Sequence, residues 1–129
     1  MKLVKISEIK GAALDFAVAQ CLGLPLKLDP MGFKKDSPSS SQSGWWVWEG
    51  QFEIQEVVGL GYSPSTNWLQ GGPIIEREKI NLMYTDNQWE ADTSADCFGL
   101  GNTALKAAMR CYVANKIGLE IEVPKELLA

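Results

Sequence analysis

Histidine is absent from this chain of 129 residues, and arginine occurs at only two positions, Arg77 and Arg110. Without histidine the chain cannot build a Ser-His-Asp or Cys-His nucleophile system, a histidine-ligated zinc site or a histidine pH switch. Twelve basic residues against sixteen acidic residues give a net charge of −4. This balance argues against a nucleic acid duplex as the main partner, because a duplex is bound chiefly through its phosphates.

Long apolar runs are also missing. No stretch approaches the roughly 18 apolar residues of a membrane-spanning helix, and residues 1–10 are too charged for a secretory signal. The cysteines Cys21, Cys97 and Cys111 form no C-x-x-C pair. Buried reduced thiols are typical of cytoplasmic proteins, whereas a catalytic Cys97 would lack a histidine to activate it. We therefore expect a cytoplasmic protein with no membrane partner, no metal and no cofactor.

The residues that are present fit one globular domain. The chain is 46% hydrophobic and 22% charged, and its length allows a core without disulfide or metal support. Helical and alternating apolar patterns occur together, which predicts a soluble domain of the α+β class. One domain then spans residues 1–129, with a flexible serine-rich loop at about 34–44.

Apolar stripes at steps of three and four residues predict two clear helices. The first begins at Gly11 and ends at Gly23, while the last follows a cap at Asn102 or Thr103 and ends at Gly118. Their stripes supply the predicted core, which contains Leu14, Val18, Leu105, Met109 and Tyr112.

The segment 62–78 predicts two short helical pieces, broken at the Gly71-Gly72 pair. Ser65 or Thr66 would cap the first piece, and Pro73 would stand in the first turn of the second, where its missing N–H costs nothing.

Alternating apolar residues predict several short strands. They are an edge strand at Lys2–Ile6, a hairpin that turns at Glu49-Gly50, an antiparallel pair at 79–84 and 88–91, and a last strand around Ile121 and Val123. In the hairpin, Trp46 and Trp48 have the same parity and would share one face.

The scarce arginines are the first candidates for a binding site. A planar guanidinium can hold a carboxylate or phosphate through two hydrogen bonds, so Arg77 and Arg110 can contact an anionic ligand. We group them with Tyr62, Asn67 and Trp68, because an aromatic ring can stack on a base. We expect Arg77, Arg110 and Trp68 to lie on one side of the domain. The alternative is that each arginine pairs internally with an aspartate or glutamate.

The segment Gly99-Leu-Gly101-Asn-Thr opens the last helix and has two interpretations. It is either a turn and helix cap or a contact for an anion, since backbone N–H groups at a helix start hold anions. It lacks the lysine of a P-loop and the third glycine of a dinucleotide fingerprint. For Arg110, on the same helix, Asp15 is the alternative internal partner.

Two further features leave alternatives open. The run Glu76-Arg77-Glu78-Lys79 is a solvated, salt-bridged face, a non-catalytic contact for a ligand or, together with Asp15, a carboxylate site for magnesium. Trp45 and Trp46 belong either to the core or to a surface that binds another protein, where tryptophan is common.

Three blocks of the sequence resemble a known phage family. They are Gly11-x-x-Leu-Asp-x-Ala-Val-Ala-x-x-x-Gly23, Tyr62-Ser-Pro-Ser-Thr-x-Trp-x-x-Gly-Gly-Pro-Ile-Ile-Glu76 and Thr103-x-Leu-x-Ala-Ala-Met-Arg-x-Tyr-Val113. Together they resemble the NinX-like proteins of lambdoid phages and prophages, a family of unknown function, and more loosely the phage ABA-sandwich domains. The resemblance implies a small accessory protein made in an infected or lysogenic bacterial cell. It also implies a small antiparallel sheet packed with about three helices, as in an α/β/α sandwich. It implies no catalytic residues.

Three functional hypotheses follow. The first is a non-enzymatic protein that binds a small anionic, nucleotide-like ligand through Tyr62, Asn67, Trp68, Arg77 and Arg110. The second is a module that binds a host or phage protein through Trp45 and Trp46. The third is a magnesium-dependent hydrolase that uses Asp15, Glu76 or Glu78. Self-association as a homo-oligomer is compatible with each of them.

Overall fold

The computed structural model describes residues 1–28, 44–49, 54–94 and 97–128. Within these ranges the chain has the α+β fold that the sequence predicts, with α1 (Gly11–Leu22), α2 (Trp68–Glu78) and α3 (Ala104–Lys116). None of the helices in these ranges is long and apolar enough to cross a membrane. Apart from Gly44, the predicted serine-rich loop lies outside the described residues.

The described strands form three small antiparallel sheets, whereas the sequence predicts one. The first sheet pairs β1 (Lys2–Lys5) with β8 (Glu120–Val123), which brings distant parts of the chain together. The second contains β2 (Leu26–Leu28), β3 (Trp45–Glu49) and β4 (Ile54–Val57), in that order. The third contains β5 (Asn81–Thr85), β6 (Gln88–Asp92) and β7 (Phe98–Gly101), also in order. The positions of β1, β3, β4, β5, β6 and β8 agree with the sequence prediction, whereas β2 and β7 were not predicted. The turn of the predicted hairpin near Gly50 lies outside the described residues.

The core lies between α1 and α3, as their apolar stripes predict. Leu14 and Val18 of α1 are fully buried in one cluster with Met109 and Tyr112 of α3. Leu105 is also buried, but it packs at the start of α3 towards α2. The predicted helix ends are confirmed at Gly23, which has the left-handed conformation, and at Thr103, whose hydroxyl caps α3.

Two glycines let α3 lie directly on the backbone of β7. A Cβ atom on Gly99 would stand 2.3 Å from the carbonyl oxygen of Ala107 and 2.6 Å from the amide nitrogen of Cys111. On Gly101 it would stand 2.9 Å from the amide nitrogen of Ala107. Because alternate strand residues face the same side, this spacing places both glycines under the helix. The contact fixes the first turns of α3 beside the end of β7.

Helix α2 runs without a break, so the prediction of two pieces separated at Gly71-Gly72 is wrong. Gly71 is needed for packing, because a Cβ there would lie 2.5 Å from the carbonyl oxygen of Pro64 and 2.6 Å from Leu105 Cδ2. Pro73 lies inside the helix and removes one backbone hydrogen bond at an exposed site. The cap is Asn67 rather than Ser65 or Thr66, and its side chain accepts from the amide of Leu69.

Candidate anion-binding site

Arg110 projects from α3 onto backbone carbonyl groups. Its Nε donates to the carbonyl oxygen of Ile9 at 3.0 Å, and its Nη1 donates to that of Leu100 at 2.7 Å. Both acceptors are neutral, so they orient the guanidinium without cancelling its charge. The predicted alternative partner, Asp15, is wrong, because its buried carboxylate instead accepts from the backbone N–H of Ser65 at 2.9 Å.

Lys106 stands one turn before Arg110 and therefore on the same face of α3. Its Nζ donates to Asn102 Oδ1 at 2.8 Å. Partial burial lowers the pKa of Lys106, and the charges of Arg110 and Lys10 lower it further. Lys10 directly follows Ile9, whose carbonyl oxygen accepts from Arg110, so Lys10, Lys106 and Arg110 form one cationic cluster. Across the described ranges, no carboxylate forms an ion pair with any of these side chains.

An open cavity of about 360 Å³ lies over this cluster. Lys106 and Arg110 supply its charge, and it is also lined by Asn87, in the turn between β5 and β6, and by Gln88, the first residue of β6. The lining residues are Asn87, Gln88, Leu100, Gly101, Asn102, Lys106 and Arg110. The first turn of α3 borders the cavity, and its partial positive charge adds to that of the side chains. The predicted cap at Thr103 is confirmed, but Gly99–Gly101 belongs to strand β7 and forms no turn. The anion contact stays a prediction.

Arg77 lies elsewhere, at the end of α2. Its Nε donates to Glu78 Oε2 at 2.9 Å, and its Nη2 lies 3.5 Å from the hydroxyl of Tyr112. Lys116 Nζ also pairs with Glu78, at 3.5 Å. These contacts hold the pKa of Glu78 below its usual value, chiefly through the hydrogen bond from Arg77.

The structure does not bring the two arginines together. Arg77 contacts Tyr112, while Arg110 stands two residues earlier on α3, so the two contacts lie about 200° apart around the helix. The expectation that both arginines and Trp68 share one side is therefore wrong. Arg77 pairs with Glu78, which agrees with the alternative interpretation of an internal ion pair. Lys79 is the C-cap of α2 in the left-handed conformation, at φ 54, and forms no ion pair with the described carboxylates.

The other proposed ligand residues have separate positions near the start of α2. Trp68 is 56% exposed in the first turn of the helix, nine residues and about 13 Å of helix rise from Arg77. Asn67 uses its side chain to cap α2. Tyr62 is buried, and its hydroxyl has no hydrogen-bond partner among the described residues. Burial raises its pKa, with the charge of Asp15 as a second cause.

The two candidate interface tryptophans differ in their surroundings. The Trp45 ring packs edge-on against Phe16, with centroids 5.1 Å apart, and its Nε1 donates to Glu126 at 2.9 Å. Trp45 therefore joins β3 to the rest of the fold. Trp46 is half-buried and packs edge-on against Trp48 at 5.7 Å, which confirms that these two rings share a face.

The carboxylates of the magnesium hypothesis also have distinct surroundings. Asp15 is buried under the segment before α2, Glu78 pairs with Arg77 and Lys116, and Glu76 is exposed. Within the part of the chain that the structure describes, no group of three or more Asp, Glu, Cys or His side chains is arranged to hold a metal ion.

Sequence reasoning missed the lysines of the cluster. Helix α3 contains Lys106, Arg110 and Lys116 but no acidic residue. This excess of positive charge is visible in the sequence and could have indicated the cationic cluster. The position of Lys10 had no local signal, since it joins the cluster through the packing of α1 beside α3.

A comparison with protein families supports the resemblance of the three sequence blocks. The model of the family described as "Bacteriophage P22, NinX" matches residues 5–116. The match includes all three helices and every residue that lines the cavity. No curated protein matches the chain.

Proposed function

The chain belongs to the NinX family of bacteriophage proteins, and from this premise we propose that it is a phage accessory protein that binds a small anionic, nucleotide-like ligand without transforming it. The anionic group of the ligand lies in the cavity beside Lys106 and Arg110. Of the predicted ligand residues, the proposal keeps Arg110 as a direct contact. Lys106 takes the role that the sequence prediction gave to Arg77. Tyr62, Asn67 and Trp68 lie outside the cavity and are no longer ligand contacts.

One observation supports the proposal most directly: cationic side chains lie close together without an ion-paired carboxylate in the described ranges. The chain has a net charge of −4, yet Lys10, Lys106 and Arg110 lie together with no ion-paired carboxylate in the described ranges. Like charges at short range oppose each other and weaken the fold. A bound anion would relieve this repulsion.

The geometry suits a phosphate oxygen better than a simple counter-ion. Arg110 is fixed by two carbonyl groups and still has unused N–H donors, which makes it a preorganised anion contact. Lys106 adds a charge that can reorient, because its partner Asn102 is neutral. Helix α3 begins beside the cavity, and its dipole adds partial positive charge there.

The remainder of the cavity favours a ligand larger than phosphate. Its volume of about 360 Å³ falls in the range of small-molecule sites. Asn87 and Gln88 offer both donors and acceptors, which can read the edge of a base or sugar, and Leu100 offers an apolar surface.

Isothermal titration calorimetry with orthophosphate and AMP tests the proposal. We expect AMP to bind more tightly than roughly 1 mM. Lys106→Gln removes a hydrogen bond to a charged group and weakens binding about 10-fold or more. Lys116→Gln is the matched control, because it neutralises a lysine on the same helix away from the cavity. A folded protein that binds neither compound more tightly than roughly 1 mM would contradict the proposal.

A second candidate function is binding of a host or phage protein through the face of β3 that carries Trp46 and Trp48. The two rings contact each other and neither is fully buried, as in surfaces where aromatic residues anchor a partner. Capture experiments from phage-infected lysate test it. We expect a specific partner to be captured by the wild type and lost in Trp46→Ala, and retention by the folded variant would contradict this function.

A further inference from the structure

We propose that the ligand carries two anionic groups, and that the second group binds in a neighbouring cavity between Lys2 and Lys10. This inference rests on the proposed function, because the first group is the one bound by Lys106 and Arg110. The class of ligand is a compound with two phosphate groups joined through an uncharged spacer, as in a 5′-phosphorylated dinucleotide.

The second cavity lies between β1, the start of α1 and the segment that follows β8. Its volume is about 210 Å³. Two lysines, Lys2 and Lys10, are among the residues that line it. The lining residues are Lys2, Val4, Glu8, Ile9, Lys10, Ala13, Leu127 and Leu128.

Ile9 and Lys10 connect the second cavity to the residues of the first. Ile9 lines the second cavity, while its carbonyl oxygen accepts the hydrogen bond from Arg110, which lines the first. Lys10 also lines the second cavity, and its charge acts on Lys106 of the first. A ligand held by Arg110 therefore stands close to Ile9 and Lys10, which line the second cavity.

The charge of the second cavity also lacks compensation. Neither Lys2 nor Lys10 forms an ion pair with any carboxylate in the described part of the chain. Glu8 lines the cavity as well, but it makes no ion pair with either lysine. Two lysines against one glutamate leave a net positive lining, and Glu8 should reduce the affinity for a second anion.

The apolar part of the second cavity explains why the two anionic groups need an organic spacer. Val4, Ala13 and Leu127 contribute apolar wall beside the lysines. An inorganic ion would leave this surface uncovered, whereas a sugar or base would bury it and gain from the hydrophobic effect. Two linked groups also bind more tightly than separate ones, because the second contact forms at high effective concentration.

Calorimetric titration with AMP and with the linear dinucleotide pApA tests this inference. We expect pApA, which has two phosphates, to bind the wild type at least about 10-fold more tightly than AMP. Lys2→Gln should remove most of this advantage and leave AMP affinity unchanged, while Glu8→Gln should increase pApA affinity. Lys27→Gln, at an exposed lysine of β2, is the matched control for loss of one positive charge.

The outcomes separate the two proposals. If AMP binding depends on Lys106 but pApA binds no more tightly, the two-anion inference is wrong and the proposed function stands. If pApA has the advantage and Lys2→Gln matches Lys27→Gln, the second group is not in this cavity and the inference is again wrong. If neither compound binds, both proposals fail. Thermal unfolding of every variant verifies that the fold is retained.

Discussion

The carboxylate of Asp15 accepts a hydrogen bond of 2.9 Å from the backbone N–H of Ser65, a residue 50 positions later in the chain. Both residues are buried, so the bond joins the centre of α1 to the segment that leads into α2. They belong to two of the sequence blocks that resemble the NinX family. The bond gives these blocks a common structural role: Asp15 satisfies a buried amide where the chain turns towards α2.

Replacement of the Asp15 carboxylate should separate its role as an acceptor from its charge. Asp15→Ala leaves the Ser65 N–H unpaired and should lower the free energy of unfolding by about 1–3 kcal/mol at neutral pH. Asp15→Asn keeps an acceptor oxygen without a buried charge and should be at least as stable as the wild type. Urea denaturation measures both changes. An Asp15→Ala variant as stable as the wild type would show that the bond contributes nothing.

The same carboxyl group should make stability depend on pH. Burial raises the pKa of Asp15 from 3.8 to about 6, although the hydrogen bond from Ser65 opposes the shift. The folded state therefore holds this proton more tightly than the unfolded state. Its stabilising contribution, on the order of 2–3 kcal/mol, is fully present below about pH 4 and is lost as the pH rises through about 6.

The difference in unfolding free energy between the wild type and Asp15→Asn isolates this effect, since other titrating groups are common to both. We expect the wild type to lose stability relative to the variant between pH 4 and pH 7. A difference that stays constant over this interval would rule out a raised pKa at Asp15.

Close packing between β7 and α3 should make Gly99 intolerant of a side chain. In Gly99→Ala the new Cβ would lie 2.3 Å from the carbonyl oxygen of Ala107, so helix and strand must separate. We expect a loss of about 1–3 kcal/mol or more in the free energy of unfolding. Gly72→Ala is the control, because its nearest neighbour is Trp68 Cε3 at 3.8 Å and alanine favours helix. Equal stabilities of the two variants would be incompatible with this packing.

Met109 tests the core between α1 and α3. Its side chain is fully buried in the same cluster as Leu14 and Val18. Met109→Ala should cost about 2–5 kcal/mol, since the helices can close the resulting cavity only in part. Chemical denaturation measures the loss, and a negligible change would place Met109 outside the core.

Local patterns were sufficient to predict most elements of this fold. The stripe through Leu14 and Val18 predicted α1, and the stripe through Met109 and Tyr112 predicted α3. The continuity of α2 was not predictable, because Gly71 looks like a helix breaker until its contact with Pro64 is known. The pairing of β1 with β8 was equally hidden, since it joins segments more than a hundred residues apart.

The candidate site was predictable only in part. Arg110 was identified by its scarcity, but its carbonyl partners lie on Ile9 and Leu100, which no local spacing connects to it. Lys10 reaches the cluster through tertiary packing alone. Arg77 was identified by the same scarcity, yet a neighbouring glutamate already neutralises it. The type of residue therefore indicated anion binding, and only the fold distinguished an unpaired cation from a paired one.

The central claim is that an anion binds beside Lys106 and Arg110. The most direct measurement is a titration with AMP followed by ¹H–¹⁵N NMR of the assigned backbone amides. We predict saturable shift changes centred on Gly101, Asn102 and Lys106, at the start of α3, and their loss in Lys106→Gln. Absence of saturable shifts, or shifts centred on Arg77 and the end of α2, would contradict the claim.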